Sequence, residues 1–376
     1  QAGNRQLVFL DYFDSQIVAA APDGTGFYGA DADFGANGVA WGGGDVIPIN
    51  PTNGTILGKG LDNERLFFIE AAVNGGYTYS NHLRDVTTPG WNNATFGAGD
   101  TLRAAAGSSR FNPADDQLYV VMVGSIGAGN SKIRVLTLPD DAGPATATNN
   151  ITIAATDHLR SVTYVEGAAA ANDFFVVGGD DGVLVKSSNN FGFTTYAVPP
   201  SYVSATFADY SFRHLAYHKG RESLFAVAVD GDDDEHIIEF SDMTDFSKYT
   251  IHPTSSLPGT TIHSLRYIDD VQKLIVTFTT NNVGDATQTI AVSNNGAAWQ
   301  YVDHGTLPTT GIAYFTRTFD IGGGAFRTRL YLGARVDVGA GGTVAAYGEI
   351  TDYNPTTEFR MPYVSDGESL AYVRYA

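Results

Sequence analysis

The chain has 376 residues, 43% hydrophobic and 12% aromatic, with 43 glycines and only 17% charged residues. That is enough apolar mass for a substantial core, and a composition suited to strands and turns rather than helices. Its 41 acidic against 22 basic residues give a formal charge of −19, which disfavours nucleic acid and anionic membranes as partners held by charge. The lack of cysteine removes disulfides, thiolate metal sites and cysteine nucleophiles. No apolar run of about 18 residues exists to insert into a bilayer.

The chain opens with "QAGNRQ" and no initiator methionine, so a removed leader is one expectation. From there a short apolar stretch behind a polar turn recurs. It reads "RQLVFL" at Leu7, "ERLFFI" at Leu66, "DQLYVV" at Leu118 and "NDFFVV" at Phe174. It continues as "ESLFAV" at Leu224, "QKLIVT" at Leu274 and "TRLYLG" at Leu330, with anchors 50 to 59 residues apart. Tyr164, Tyr217 and Tyr267 close a preceding apolar stretch, and Phe111 takes the equivalent place before Leu118. After each anchor strand comes a Gly/Asp/Asn turn, then a third strand, a polar turn and an aromatic-bearing fourth strand. Three sequons, at Asn53, Asn93 and Asn150, arise easily in so Asn- and Thr-rich a chain.

Four short strands per repeat, repeated seven times, predict an all-β, seven-bladed β-propeller of four-stranded antiparallel blades. Radial stacking of that kind buries both faces of each blade and leaves only short edges. The C-terminal "SLAYVRYA" has an inner-strand look without its partner, and "QLVFL" at 6–10 looks like a second strand without its inner strand. The ring is therefore expected to close by pairing the C-terminal strand with the N-terminal strand. The expected blades are 367–376 plus 1–52, then about 55–98, 101–153, 157–200, 210–254, 261–304 and 310–358.

The turns before the fourth strand add a resemblance. "SSNNFGFTTY" at 187–196 and "VSNNGAAW" at 292–299 resemble the Asp-box turn of sialidase-like propellers, and "FSDMTDFSKY" at 240–249 is a degraded version. The matching residues are Ser188, Asn190, Gly192 and Thr194 in the first stretch, and Asn294, Gly296 and Trp299 in the second. A polar side chain capping backbone N–H groups, with glycine at positive φ, explains such a turn locally. The resemblance implies fold rather than chemistry. The sialidase arginine motif near the N-terminus is absent, so no catalytic set carries over.

Aligned on their tyrosines, Arg160, Arg213 and His263 fall at one equivalent position, four residues before Tyr164, Tyr217 and Tyr267. If it faces the central channel, these three groups line the mouth and can clamp an anion. Salt bridges to the chain's many carboxylates are the plainer role. "DGDDDE" puts Asp230, Asp232 and Asp234 in one turn, hard oxygen ligands suited to Ca²⁺ though short of an EF-hand; a solvated hairpin tip is the plainer role here too. No other cofactor is implied. No convergent catalytic motif stands out.

The reading is a non-catalytic extracellular, cell-surface or virion-associated propeller, serving adhesion or receptor and glycan binding. Its partner is a protein or glycan surface, with assembly into a larger particle or filament as a further option. Aromatics in the loop 24–41 are candidates to stack on sugars or on a neighbouring subunit. The alternative is a glycan-processing enzyme of sialidase-like type with its site at the channel mouth.

Overall fold

A computed structural model describes residues 8–13, 16–24, 26–29, 41–42, 47–59, 61, 64–80, 91–126, 130–139, 146–153, 158–187, 207–244, 246–254, 257, 259–269, 272–280, 287–302, 309–322, 325–339, 342–350, 360–363 and 371–374. These residues form seven antiparallel sheets. Sheet 1 holds β1 (Phe9–Phe13), β2 (Gln16–Ala20), β3 (Gly26–Gly29) and β4 (Trp41–Gly42); sheet 2 holds β5 (Asn53–Leu57), β6 (Arg65–Ile69), β7 (Gly76–Ser80) and β8 (Trp91–Thr95). Sheet 3 is built from β9 (Asp100–Gly107), β10 (Gln117–Ile126), β11 (Asn130–Pro139) and β12 (Thr146–Ile153). In sheet 4 are β13 (Leu159–Val165), β14 (Phe174–Gly179) and β15 (Leu184–Lys186).

Sheet 5 comprises β16 (Ser211–His218), β17 (Ser223–Val229), β18 (Glu235–Phe240) and β19 (Tyr249–His252), and sheet 6 comprises β20 (Gly259–Ile268), β21 (Lys273–Thr280), β22 (Thr287–Ser293) and β23 (Gln300–Val302). Sheet 7 has five strands: β24 (Thr309–Gly322), β25 (Ala325–Gly339), β26 (Gly342–Ile350), β27 (Arg360–Tyr363) and β28 (Ala371–Arg374). Each sheet is a meander in chain order. No α-helix occurs among the described residues, only short 3₁₀ turns such as Ala170–Asn172 and Lys219–Arg221, and among them no helix is long and apolar enough to cross a membrane.

The anchors Leu66, Leu118, Phe174, Leu224, Leu274 and Leu330 all lie on second strands. The second strands of sheets 2 to 6 are buried on both faces, so they read as continuous apolar runs rather than alternating ones. The pleat sends successive side chains to opposite faces. Along β17, Leu224, Ala226 and Ala228 pack toward sheet 4, whereas Phe225 and Val227 pack toward sheet 6. In β10, Leu118, Val120 and Met122 join the core against sheet 2, and Val121 and Val123 join that against sheet 4. The core is thus a series of apolar wedges between consecutive sheets.

First strands of consecutive sheets lie side by side: β1 by β5, β5 by β9, β9 by β13, β13 by β16 and β16 by β20. β24 lies beside β22 of sheet 6 and also beside β1 of sheet 1.

The termini differ from the sequence expectation. Phe9–Phe13 is the first strand of its sheet, not a second strand, and its partner is local: Phe13 pairs with Gln16 across a two-residue connection. Closing so short a hairpin costs far less chain entropy than recruiting the other end of the chain, and it leaves sheet 1 with four strands of its own. The C-terminal strand β28 pairs with β27 instead, Met361 opposite Val373. Leu7 and Leu370 themselves lie outside the described residues.

Candidate functional site

Bulges in the first strands organise the site. In sheet 3, Leu102 pairs with Gly124 and Ala104 with Val123, so Arg103 is an extra, unpaired residue. The same break isolates Arg160 between Leu159 and Ser161, Arg213 between Phe212 and His214, and His263 between Ile262 and Ser264. The first strands of sheets 1 and 2 pair without a break, and the corresponding irregularity of sheet 7 falls on Gly311 and Ile312. A bulge twists the strand and re-aims one side chain. Lys and Arg number 22 and His 8 among 376 residues, fewer than one in ten, so three arginines and a histidine at the bulges of four successive sheets are not an effect of composition.

Arg160, Arg213 and His263 were expected at one equivalent position, and the bulges are that position. Arg103 was missed. β9 is followed by a longer connection, so Phe111 lies beyond the strand end and counting back from it lands on Gly107. The bulge register is the signal that finds it.

The preceding sheet captures the carbonyl before two of the bulges. Ser161 Oγ donates to the Phe212 carbonyl at 2.8 Å; the His214 Nε2–H donates to that of Ile262 at 3.2 Å. Gly178 stands opposite the sheet 4 bulge, where a Cβ would come within 2.8 Å of both Phe212 Cβ and Ser161 Oγ. Burial, with Arg213 and His263 nearby, pulls the His214 pKa down to about 4, so its imidazole is neutral at pH 7.

The four bulge residues differ in what holds them. Arg160 grips Asp180 with both ends of its guanidinium, Nε to Oδ1 at 2.9 Å and Nη2 to Oδ2 at 2.7 Å, and Ser211 Oγ donates to the same carboxylate. Arg103 sits close enough to feel both charges, and burial together with Arg160 lowers its pKa while Asp180 opposes the shift. Its Nε has no hydrogen-bond partner among the described residues. Arg213 is exposed and makes no ion pair among the described residues, with Glu235 within electrostatic reach of it. The His263 Nε2 shares a hydrogen bond with Thr279 Oγ1 at 2.5 Å.

The acidic turn does not form the expected cation site. Asp230 Oδ1 accepts the N–H groups of Asp232 and Asp234 at 3.0 and 2.9 Å, and Oδ2 binds His236 Nε2 at 2.7 Å. Its oxygens are spent on capping the hairpin. No group of three His, Asp or Glu residues is gathered as a metal cage among the described residues.

The 293–299 turn keeps the geometry of a capped box with different capping residues. Ser293 Oγ accepts from the Gly296 N–H at 2.9 Å, and Asn295 Oδ1 from that of Ala297 at 3.1 Å. Gly296 sits at φ +75°, and the Trp299 indole donates to its carbonyl at 3.0 Å. Asn294 instead offers its carbonyl to His218 Nε2 at 3.1 Å, tying sheet 6 to sheet 5. In the 240–249 stretch Phe246 takes positive φ. Residues 188–196, and most of the 24–41 loop, lie outside the described residues.

No family model matches the chain, and no curated protein matches it in sequence. Among solved structures it is similar to Saccharomyces cerevisiae Sqt1, a WD40 propeller, with TM-score 0.54 and 7% identity over 93% of this chain and 97% of that one. The computationally designed Ika8 protein also matches, at TM-score 0.48 and 13% identity over 99% of this chain and 98% of that one, too loose a likeness to carry weight. The fold is a β-propeller. The likeness is to propellers in general rather than to the sialidase type, and at such identity it speaks to fold alone.

Proposed function

We propose that the seven sheets are the blades of one ring, shut where β24 of sheet 7 meets β1 of sheet 1, and that the ring is a non-catalytic interaction module of a cell surface, virion or other extracellular assembly. Its binding surface is the arc of Arg103, Arg160, Arg213 and His263 at one mouth of the central channel. The partner is an acidic surface, a carboxylated or sulfated glycan before all others. The observation that carries this reading is the repetition of a basic residue, three arginines and a histidine, at the bulge of four successive sheets in a chain whose net charge is −19. An acidic ligand would be repelled by the rest of this surface, so a local cluster of guanidinium groups is what such recognition requires. The low lysine content and cysteine-free, acidic composition suit a protein that works outside the cytoplasm. The turn at 293–299 supports kinship with Asp-box propellers at the level of architecture.

The test is a glycan array probed with fluorescently labelled protein, followed by titration of the acidic glycans that score. Saturable binding that weakens with salt, and that drops at least tenfold in Arg213→Glu with an unchanged melting temperature, is the expected result. Absence of binding to every acidic glycan, or binding indifferent to both Arg213→Glu and Arg103→Gln, refutes the reading.

A further inference from the structure

The outer edge of sheet 5 lies at the far side of that sheet from its bulge. Three large apolar side chains are exposed among the described residues, Val73, Tyr249 and Ile251, and two of them belong to the edge strand β19. Tyr249 is 36% and Ile251 42% exposed, and Thr250 between them is exposed as well. The edge strand β8 of sheet 2 shows solvent Asn93, Ala94 and Thr95 instead. Sheet edges are commonly guarded by charge, proline or a bulge. β19 pairs with β18 along its whole length without a break, and no strand lies on its other side among the described residues.

The hydrogen-bond phase of sheet 5 fixes where the β19 backbone points. The Asp230 N–H donates to the Asp234 carbonyl and the Ser241 N–H to the Lys248 carbonyl, each at 3.0 Å. Bonded and unbonded pairs alternate along an antiparallel ladder. With the register of this sheet, Ile238 and Phe240 therefore bond toward β17, while Ile237 and Glu239 bond toward His252 and Thr250. Tyr249 and Ile251 are left with their N–H and C=O groups turned outward, two donors and two acceptors along the rim. Their side chains stand opposite Phe240 and Ile238, on the face turned to sheet 4, where the Tyr249 ring lies 4.7 Å from that of Phe207.

This edge is complementary to itself. Its extended run is bounded by Phe246, at φ +55°, and by Pro253, which has no N–H to give. Thr250 is its middle. A twofold axis through Thr250 sets Tyr249 opposite Ile251 of a second copy, and Ile251 opposite that copy's Tyr249. Each of these pairs exchanges two hydrogen bonds, both apolar pairs fall on one face, and the two Thr250 side chains meet in a close unbonded pair. Charge permits the approach. None of residues 246–253 is acidic in a chain of net charge −19, and the carboxylates beside the strand are paired, Glu239 with Arg221 and His252, and Asp242 with Lys248.

We propose that β19 pairs antiparallel with β19 of a second copy of this chain, joining two four-stranded sheets into one of eight. One short strand covers far less than the roughly 1,600 Å² of a standard interface, so the dimer is a weak one, with Kd of the order of 0.1 mM. Nothing in it depends on the bulge arc, and Arg213→Glu should dimerise like the parent. The test is sedimentation velocity of the full chain over about a hundredfold range of concentration around that value. The weight-average mass should climb from that of one chain toward that of two. Ile251→Lys, at an exposed position, should weaken the dimer at least tenfold with an unchanged melting temperature. Thr250→Cys in this cysteine-free chain serves as the second variant. On the axis its Cα lies about 4.5 Å from its mate, within disulfide reach, so mild oxidation should link it at least tenfold faster than Asn93→Cys on β8. A chain that stays monomeric leaves this edge to a strand of some other protein and overturns the proposal. So does a dimer indifferent to Ile251→Lys, or a Thr250→Cys that links no faster than Asn93→Cys.

Discussion

The two ends of the first strands handle charge in opposite ways. At and past their C-terminal ends, around Tyr164, Glu166 and Lys219, several ion pairs stitch neighbouring sheets together. Asp173 is 0% exposed and saturated: it accepts from Arg110 Nε at 2.8 Å, from the Gly167 N–H at 2.7 Å and from the Tyr164 hydroxyl. Lys219 of sheet 5 binds Glu166 of sheet 4 at 2.7 Å and Asp269 of sheet 6 at 3.6 Å. Near the N-terminal ends, of the four bulge residues only Arg160 has an ion-pair partner among the described residues, while Arg213 is exposed and the Arg103 Nε has no hydrogen-bond partner there. Buried and fully partnered charge locks neighbouring sheets together. Charge held out at a bulge without a partner is available to a ligand.

Mutation should separate the two ends by stability. Asp173→Ala strands the Arg110 guanidinium and the Tyr164 hydroxyl, and is expected to cost about 3–5 kcal/mol, read from urea denaturation midpoints. Arg213→Ala at the other end should stay within about 0.5 kcal/mol of the parent. Similar losses for the two variants would erase the distinction.

Acid should strain the bulged end next. The His214 pKa is depressed in the fold to about 4, and burial also depresses those of His218 and His263. A depressed pKa means that the unfolded chain binds protons first as pH falls. The stability His214 contributes is therefore complete above about pH 6.5 and is lost progressively down to about pH 4, for a total of the order of 3 kcal/mol. Denaturation midpoints measured from pH 7 to pH 4 should show this loss. In His214→Gln, whose amide can still donate to the Ile262 carbonyl, the slope between pH 6.5 and pH 5 should flatten. An unchanged slope would place the acid sensitivity elsewhere.

Much of the scaffold was legible because second strands buried on both faces leave unbroken apolar runs, and those runs repeat. The N-terminal phase was not legible. "QLVFL" has the same composition whether it serves as a first or a second strand, and only the short hairpin to Gln16 decides. Arg160, Arg213 and His263 could be aligned because Tyr164, Tyr217 and Tyr267 mark the strand ends at equal distances. Arg103 escaped because its strand lacks that marker. The acids of Asp230 to Glu235 suggested a cation site by count, but backbone N–H groups and His236 claim the oxygens, which composition cannot reveal.

The ring itself is the premise on which the arc depends, and the lack of cysteine makes it directly measurable. Spin labels on Tyr12→Cys in β1 and Thr316→Cys in β24 should give one short, narrow distance by double electron–electron resonance, as neighbouring first strands require. A long or broad distribution in folded protein would mean that sheets 1 and 7 do not meet, and the mouth with its arc of basic side chains would not exist.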